Sequence, residues 1–326
     1  MSTTDHEIET LGGPVVANYG TSALPPRAPV LFLVFNRPDV TAKVFEAIRA
    51  AQPPRLYVAA DGPRPDKTGE AERVAQTRQI ATAVDWPCEV HTLFRDENLG
   101  CKMAVSGAIT WFFEHEERGI ILEDDCLPAP SFFPYCEALL ERYKDDTRIW
   151  HISGTNPLTT AAPVSNEYHF SRYCRIWGWA TWRRAWSMYD VTMADWPAAQ
   201  QSELLASLLS PRSARHHRTV FSRTHSGKID TWDYQWFFVQ LRQGLSIDPG
   251  ANLISNLGFG ETATHTFDPD NPFSQLPTGE MHFPLQEPPA FHPDARRDLA
   301  WERMAFGSGK LRRLRTALSR LRPGKK

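Results

Sequence analysis

The chain has 326 residues, 41% hydrophobic and 23% charged, enough for one large core or two small ones. Its net charge of −2 is polarised: residues 310–326 hold eight Lys or Arg and no acid, leaving 28 bases against 38 acids, a net −10, in the rest. An acidic body argues against a nucleic-acid partner, and five scattered cysteines without CxxC spacing exclude a zinc cluster and a disulfide framework.

The N-terminus carries Asp5, Glu7 and Glu9 where a secretory signal wants positive charge, and no apolar run approaches the ~18 residues of a spanning helix. The expectation is a cytoplasmic protein. Residues 1–28, rich in Gly, Pro, Ser and Thr without period, read as a disordered leader.

From Pro29 the pattern sharpens. Val30–Phe35 is an apolar run of strand length, followed by Asn36-Arg37-Pro38 and by Asp39–Ala51, whose Val40, Val44, Phe45 and Ile48 recur at helical spacing. Leu56–Ala60 predicts a second strand ending in Asp61-Gly62-Pro63, and Glu70–Val84 a second helix. Glu89–Phe94 is a third strand, Arg95–Gly100 a loop, and Lys102–His115 a third helix. Ile120–Leu122 predicts the fourth strand, which breaks directly into Glu123, Asp124 and Asp125. Three adjacent carboxylates suit a solvated turn or a strand tip that holds a divalent cation against an anionic ligand.

Strands with little alternation, separated by helices, predict a mainly parallel sheet covered on both faces, with ligands bound beyond the strands' carboxyl ends. Asn36-Arg37, Asp61-Gly62, Asn98 and Glu123–Asp125 all fall at such ends. A helix over Ser131–Lys144 and a strand over Ile149–Ser153 follow, and then tryptophans crowd in: Trp177, Trp179, Trp182, Trp186, Trp196, Trp232 and Trp236.

Neither GxxxxGK[ST] nor GxGxxG occurs, so a diphosphate would need a metal and basic side chains such as Arg37, Arg95 or Lys102. Asp61 suits hydrogen bonds to a ribose or base, or a cap on its own turn. Asp233 suits a catalytic base or, with Asp230 as N-cap of a helix over Trp232–Leu241, a capping-box partner. Trp177-Gly178-Trp179 and Trp182 suit a sugar-stacking wall or plain core. Leu311, Leu314, Leu318 and Leu321 with the intervening arginines predict a basic amphipathic tail over 310–326. It would lie on anionic lipid, stay solvated, or dock on the acidic body.

The succession FNRP (Phe35–Pro38), ADGPR (Ala60–Arg64), ENLGCK (Glu97–Lys102), ILEDDCLPAPSFFPY (Ile121–Tyr135), WGWATW (Trp177–Trp182), TWDYQW (Thr231–Trp236) and NLGFGETATHT (Asn256–Thr266) resembles metal-dependent inverting glycosyltransferases of the GT-A fold. The similarity is to bacterial family-two-like members and, around the EDD and WD segments, to N-acetylglucosaminyltransferase I. It spans about residues 29–268.

The resemblance implies an α/β, nucleotide-diphospho-sugar transferase-like fold, with a mainly parallel central sheet flanked by helices. Residues 29–150 would form its nucleotide-sugar half, 151–270 its acceptor and catalytic half, and 271–309 an extension. It implies Mn²⁺ or Mg²⁺ on Asp125, with His265 as a further ligand or diphosphate contact. Glu123 and Asp124 would orient metal, ribose or sugar, and Phe35, Asn36 and Arg37 would contact the nucleotide. Asp61 would be the uridine-side acid, Asn98 and Lys102 the loop behind the donor, Asp233 the catalytic base, and Trp177, Gly178, Trp179 and Trp182 the substrate wall. The donor would be a nucleotide sugar, a UDP-sugar first, and the acceptor a glycan or lipid-linked glycan, with peripheral membrane contact through the tail. Glu-Asp-Asp stands where the family commonly has Asp-x-Asp. The competing readings are a sugar nucleotidyltransferase, which would want a glycine-rich basic loop after the first strand, and a non-catalytic carbohydrate-binding module.

Overall fold

The structure is a computed structural model and describes residues 27–159, 164–259, 273 and 276–306. His265, the tail over 310–326 and residues 1–26 of the leader lie outside the described residues. Strand and helix alternate as β1 (Val30–Val34), α1 (Pro38–Ala51), β2 (Arg55–Ala60), α2 (Glu70–Ala81), β3 (Glu89–Phe94), α3 (Gly100–His115) and β4 (Arg118–Glu123). Then come β5 (Cys126–Pro128), α4 (Phe132–Arg142), β6 (Ile149–Ser153), β7 (Val164–Ser171), β8 (Trp179–Trp182) and α5 (Arg183–Trp186). Three helices follow, α6 (Trp196–Gln201), α7 (Leu204–Leu208) and α8 (Pro211–His225). The described chain ends with α9 (Asp233–Gln243), β9 (Leu245–Pro249), β10 (Ile254–Asn256), β11 (Glu280–Gln286) and α10 (Ala295–Ala305).

Local chemistry sets several of these boundaries. Pro38 occupies the first turn of α1, where a missing N–H leaves no bond unmade, and Gln52 closes the helix in the left-handed region at φ 49°. α2 stops at Ala81, short of the expected Val84, as the Thr82 hydroxyl turns back to the Arg78 carbonyl at 2.9 Å. β1 is buried along its whole length, and its alternate residues enter different cores. Val30, Phe32 and Val34 pack with Val44, Ile48 and Leu139 under α1 and α4, while Leu31 and Leu33 pack with Ile109, Phe112 and Trp179 under α3 and α9. That two-sided burial explains why the run lacks alternation.

Among the described residues the main sheet has nine strands in the order β11-β7-β9-β6-β8-β4-β1-β2-β3. β3, β2, β1 and β4 are mutually parallel; β8 runs antiparallel between β4 and β6; and β9 is parallel to β6. Leu33 is paired with both Ala59 and Glu123, so Phe35, Asp61 and Asp124 emerge side by side at one edge. A two-stranded antiparallel ladder sets Asn256 opposite Cys126 and folds residues 257–259 back over that edge.

Two expectations are corrected by the packing. Trp179 and Trp182 belong to β8 and are 0% and 3% exposed, so they are core side chains and not a ligand wall. Trp179 stacks on His151 and Trp232, and the Trp182 indole donates to the Leu140 carbonyl at 3.1 Å. Gly178 likewise serves packing: it sits at φ +58°, and a Cβ there would lie 2.3 Å from Ile254 Cδ1. At the N-terminal boundary, Ala28 is buried and its N–H donates to Glu137, which joins Arg27 and Ala28 to the folded body.

Candidate active site

A cavity of about 880 Å³ opens at the carboxyl edge of β1, β2 and β4, a usual volume for a small-molecule site. One wall is the acidic strand tip. The Arg37 guanidinium, held where α1 begins, forms ion pairs with Asp124 and, at 3.0 Å, with Asp125. The Phe35 N–H donates to Asp124 Oδ2 at 3.2 Å, and the Leu257 N–H donates to the Asp125 carbonyl at 2.8 Å. Gly258 closes over this pair, and a Cβ there would lie 2.0 Å from Asp125 Oδ2.

Two carboxylates therefore share one guanidinium, with Glu123 adjoining them in sequence. Burial, then the charges of Asp125 and Asp124, push the Glu123 carboxyl up to about 8 against the opposing pull of Arg37. Its Oε1 is buried and has no hydrogen-bond partner among the described residues. Burial also lifts Asp124 to about 6, although Arg37 and the Phe35 N–H hold it down. Burial and the neighbouring carboxylates thus favour the protonated form of Glu123, while Arg37 pairs with Asp124 and Asp125.

The start of α9 also lines the cavity. Asp233 is its first residue, where a carboxylate meets the positive end of the helix dipole, and the Thr231 hydroxyl donates to its Oδ1. Trp232, the N-cap residue, stacks on Trp179 at 5.7 Å and accepts the Tyr189 hydroxyl on its carbonyl at 3.1 Å. Trp179 stacks in turn on His151 at 4.8 Å. Burial holds His151 down at about 3, so this platform under Asp233 is neutral and rigid. The capping-box alternative does not hold: no side chain caps α9, and Asp230 lies against Gly100 at the start of α3.

The remaining predicted residues divide. Phe35, Asp61, Asn98 and Trp177 line the cavity with Glu123, Asp124, Asp125 and Asp233. Both carboxylate oxygens of Asp61 are already engaged, accepting the N–H groups of Gly62, Leu99 and Gly100 at 3.0–3.1 Å, so it clips the loop before α3 to the sheet edge. Asn98 donates to the Gly62 carbonyl at 2.8 Å and completes that clip. Trp177 is half-buried, meets Phe259 edge-on at 5.6 Å, and forms an aromatic corner of the cavity.

Asn36 and Lys102 are corrections. Asn36 turns away from the cavity to donate to Glu70 at 2.7 Å, and Lys102, on the first turn of α3, is not among the lining residues. The basic residues that do line it are Arg37, Arg64 and Arg95. Glu70 was not singled out from sequence. Its buried carboxylate binds Asn36 and Arg64, tying the loop after β1 to the loop after β2, and the Arg64 hydrogen bonds hold it down at about 2. Cys101 also lines the cavity, its thiol pushed up to about 12 by burial and so kept un-ionised.

Among the described residues no three His, Cys, Asp or Glu side chains converge as a protein cage. Asp125 with Asp124 supplies carboxylate oxygens of the kind that hold Mg²⁺ or Mn²⁺ together with a substrate's phosphates.

No family model and no curated protein matches the sequence. Among solved structures the chain is similar to HddC from Yersinia pseudotuberculosis, at 10% identity and a TM-score of 0.28, over 48% of this chain and 77% of that one. It is also similar to a UDP-glucose pyrophosphorylase solved with UDP-glucose, at 10% identity and a TM-score of 0.32, over 68% of this chain and 90% of that one.

Proposed function

We propose that this chain is a glycosyltransferase that moves a sugar, with inversion, from a nucleoside diphosphate sugar, a UDP-sugar first, to a hydroxyl of a glycan or lipid-linked acceptor. The observation that carries this reading is the gathering of acids: Asp124, Asp125 and Asp233 line a single cavity. Asp125, with Asp124, would hold Mn²⁺ or Mg²⁺. Such an ion supplies Lewis-acid stabilisation of the charge that builds on the leaving diphosphate.

The chain's own residues account for the rest. Arg37, Arg64 and Arg95 neutralise phosphate where no glycine-rich cradle exists. Trp177 and Phe259 offer ring faces to a sugar. Asp233, at the positive start of α9, accepts the acceptor hydroxyl's proton as that oxygen attacks the anomeric carbon opposite the departing phosphate, a geometry that yields inversion. Phe35–Pro38 contains no glycine, which favours this reading over nucleotidyl transfer.

The test is turnover of UDP-sugars with Mn²⁺ or with chelator, with products identified. Metal-dependent release of UDP, abolished in Asp233→Asn, is expected. Formation of pyrophosphate from UTP and a sugar phosphate would assign the nucleotidyltransferase reading instead, and sugar binding without any turnover would assign a binding module.

A further inference from the structure

α8 (Pro211–His225) buries Ser213, Ala214, His217, Phe221 and Thr224 and contains no acidic residue. Its other face carries Arg212, Arg215, Arg218 and Arg223, all exposed, and exposed Lys228 follows its end. The four arginines span about 16 Å of helix axis. None of the five bases forms an ion pair among the described residues, although the chain outside its last 17 residues has a net charge of −10.

A second observation lies beside this face. Glu302 of α10 bonds Ser210 at the N-cap of α8, and Phe306, where the described chain ends, packs its ring 4.4 Å from His216 and 5.3 Å from His217. In the sequence, the eight bases of residues 310–326 follow Phe306. Exposed positive charge without ion-pair partners on an otherwise acidic protein favours an anionic partner there.

We propose that the exposed face of α8 is a docking surface for an anionic phospholipid bilayer. A single convex helix suits a plane rather than a strand held in a groove. Its exposed arginines are interleaved with Thr219 and half-buried Ser222, not with the aromatic side chains on which bases stack. The adjoining sequence adds Leu311, Leu314, Leu318 and Leu321 at helical spacing, apolar groups that a bilayer accepts and a soluble polyanion does not. Lys228 leads directly into Ile229, Asp230 and Thr231 on the cavity wall, so a membrane on α8 lies beside the cleft.

The experiment is vesicle flotation of the full chain with phosphatidylglycerol-containing and with pure phosphatidylcholine vesicles. Wild type and a variant carrying Arg212→Gln, Arg215→Gln, Arg218→Gln and Arg223→Gln are compared with the matching four-lysine variant, each checked for a native melting curve. Wild type is expected to prefer the anionic vesicles, the glutamine variant to lose about 10-fold or more of that partitioning, and the lysine variant to keep it. A glutamine variant that floats like wild type would assign the contact to the tail alone and overturn the proposal. Indifference of wild type to lipid charge, or binding to heparin but not to vesicles, would overturn it as well.

Discussion

Replacing Arg37 by Met tests the electrostatic core of the site. The guanidinium is 17% exposed and is the cation that pairs both Asp124, 4% exposed, and Asp125, 14% exposed. Removing one partner of a largely buried pair typically costs about 3–5 kcal/mol, and the residual exposure of Arg37 and Asp125 places this case near about 3. The loss depends on pH with a definite sign. Burial raises Asp124 from its ordinary 3.8 to about 6, and Arg37 is the strongest influence opposing that rise. Without Arg37 the folded carboxyl therefore moves higher still. The native state then keeps a proton that the unfolded chain releases, so the variant's deficit is greatest above the folded value and shrinks as pH falls toward 4.

On the proposed metal site, Mn²⁺ bound to the native state alone should return part of the loss, about 2.7 kcal/mol at a hundredfold excess over its dissociation constant. Urea denaturation of both proteins at pH 5.5 and 8, with and without Mn²⁺, gives every quantity needed. A variant as stable as wild type at pH 8, or Mn²⁺ that stabilises wild type more than the variant, would refute this account.

Three further outcomes follow from the geometry. Gly258→Ala places a methyl 2.0 Å from Asp125 Oδ2 and forces the Arg37–Asp125 pair to shift, so calorimetric titration should show metal-dependent nucleotide affinity falling about 10-fold or more, and the melting temperature should fall with it. Glu70→Gln removes a carboxylate held at about 2 by Arg64; the stability it contributes is complete above 4.5 and lost as pH falls through about 2, so the gap between wild-type and variant melting temperatures should be constant from pH 7 to 5 and close toward pH 2. Trp179→Ala should cost about 3–5 kcal/mol of stability, as truncation of a buried aromatic does, whereas Trp177→Ala should leave stability nearly unchanged and raise KM for the sugar substrate in steady-state kinetics.

Much of this architecture is written locally. β1, β2 and β4 are legible because each is rich in apolar residues and runs into Asn, Asp or Glu, and the parallel register that brings Phe35, Asp61 and Asp124 together follows from the alternation of strand and helix. The acidic tip was legible for the same reason, since it sits at the terminus of a clear apolar run, whereas Asp233 stood out through the family resemblance, its local spacing suiting a helix cap equally well. β8 was not legible: the sheet buries both its faces, so Trp179-Ala180-Thr181-Trp182 shows no alternation and its indoles read as a ligand wall. Nor was Glu70, whose partner Asn36 lies 34 residues away, or the inward turn of Asp61 onto the N–H groups of Leu99 and Gly100. Pairings across that distance leave no spacing to read. Gly258 stood within a quoted motif, but its role depends on a ladder between β10 and β5 that neither short segment announces.

The most direct test of the central claim is the affinity of UDP for wild type and for Asp125→Asn, each in Mn²⁺ and in chelator. The account predicts that Mn²⁺ tightens UDP binding to wild type at least about tenfold and that the substitution removes this gain while leaving the metal-free affinity in place. UDP binding that ignores both the ion and the substitution would contradict it.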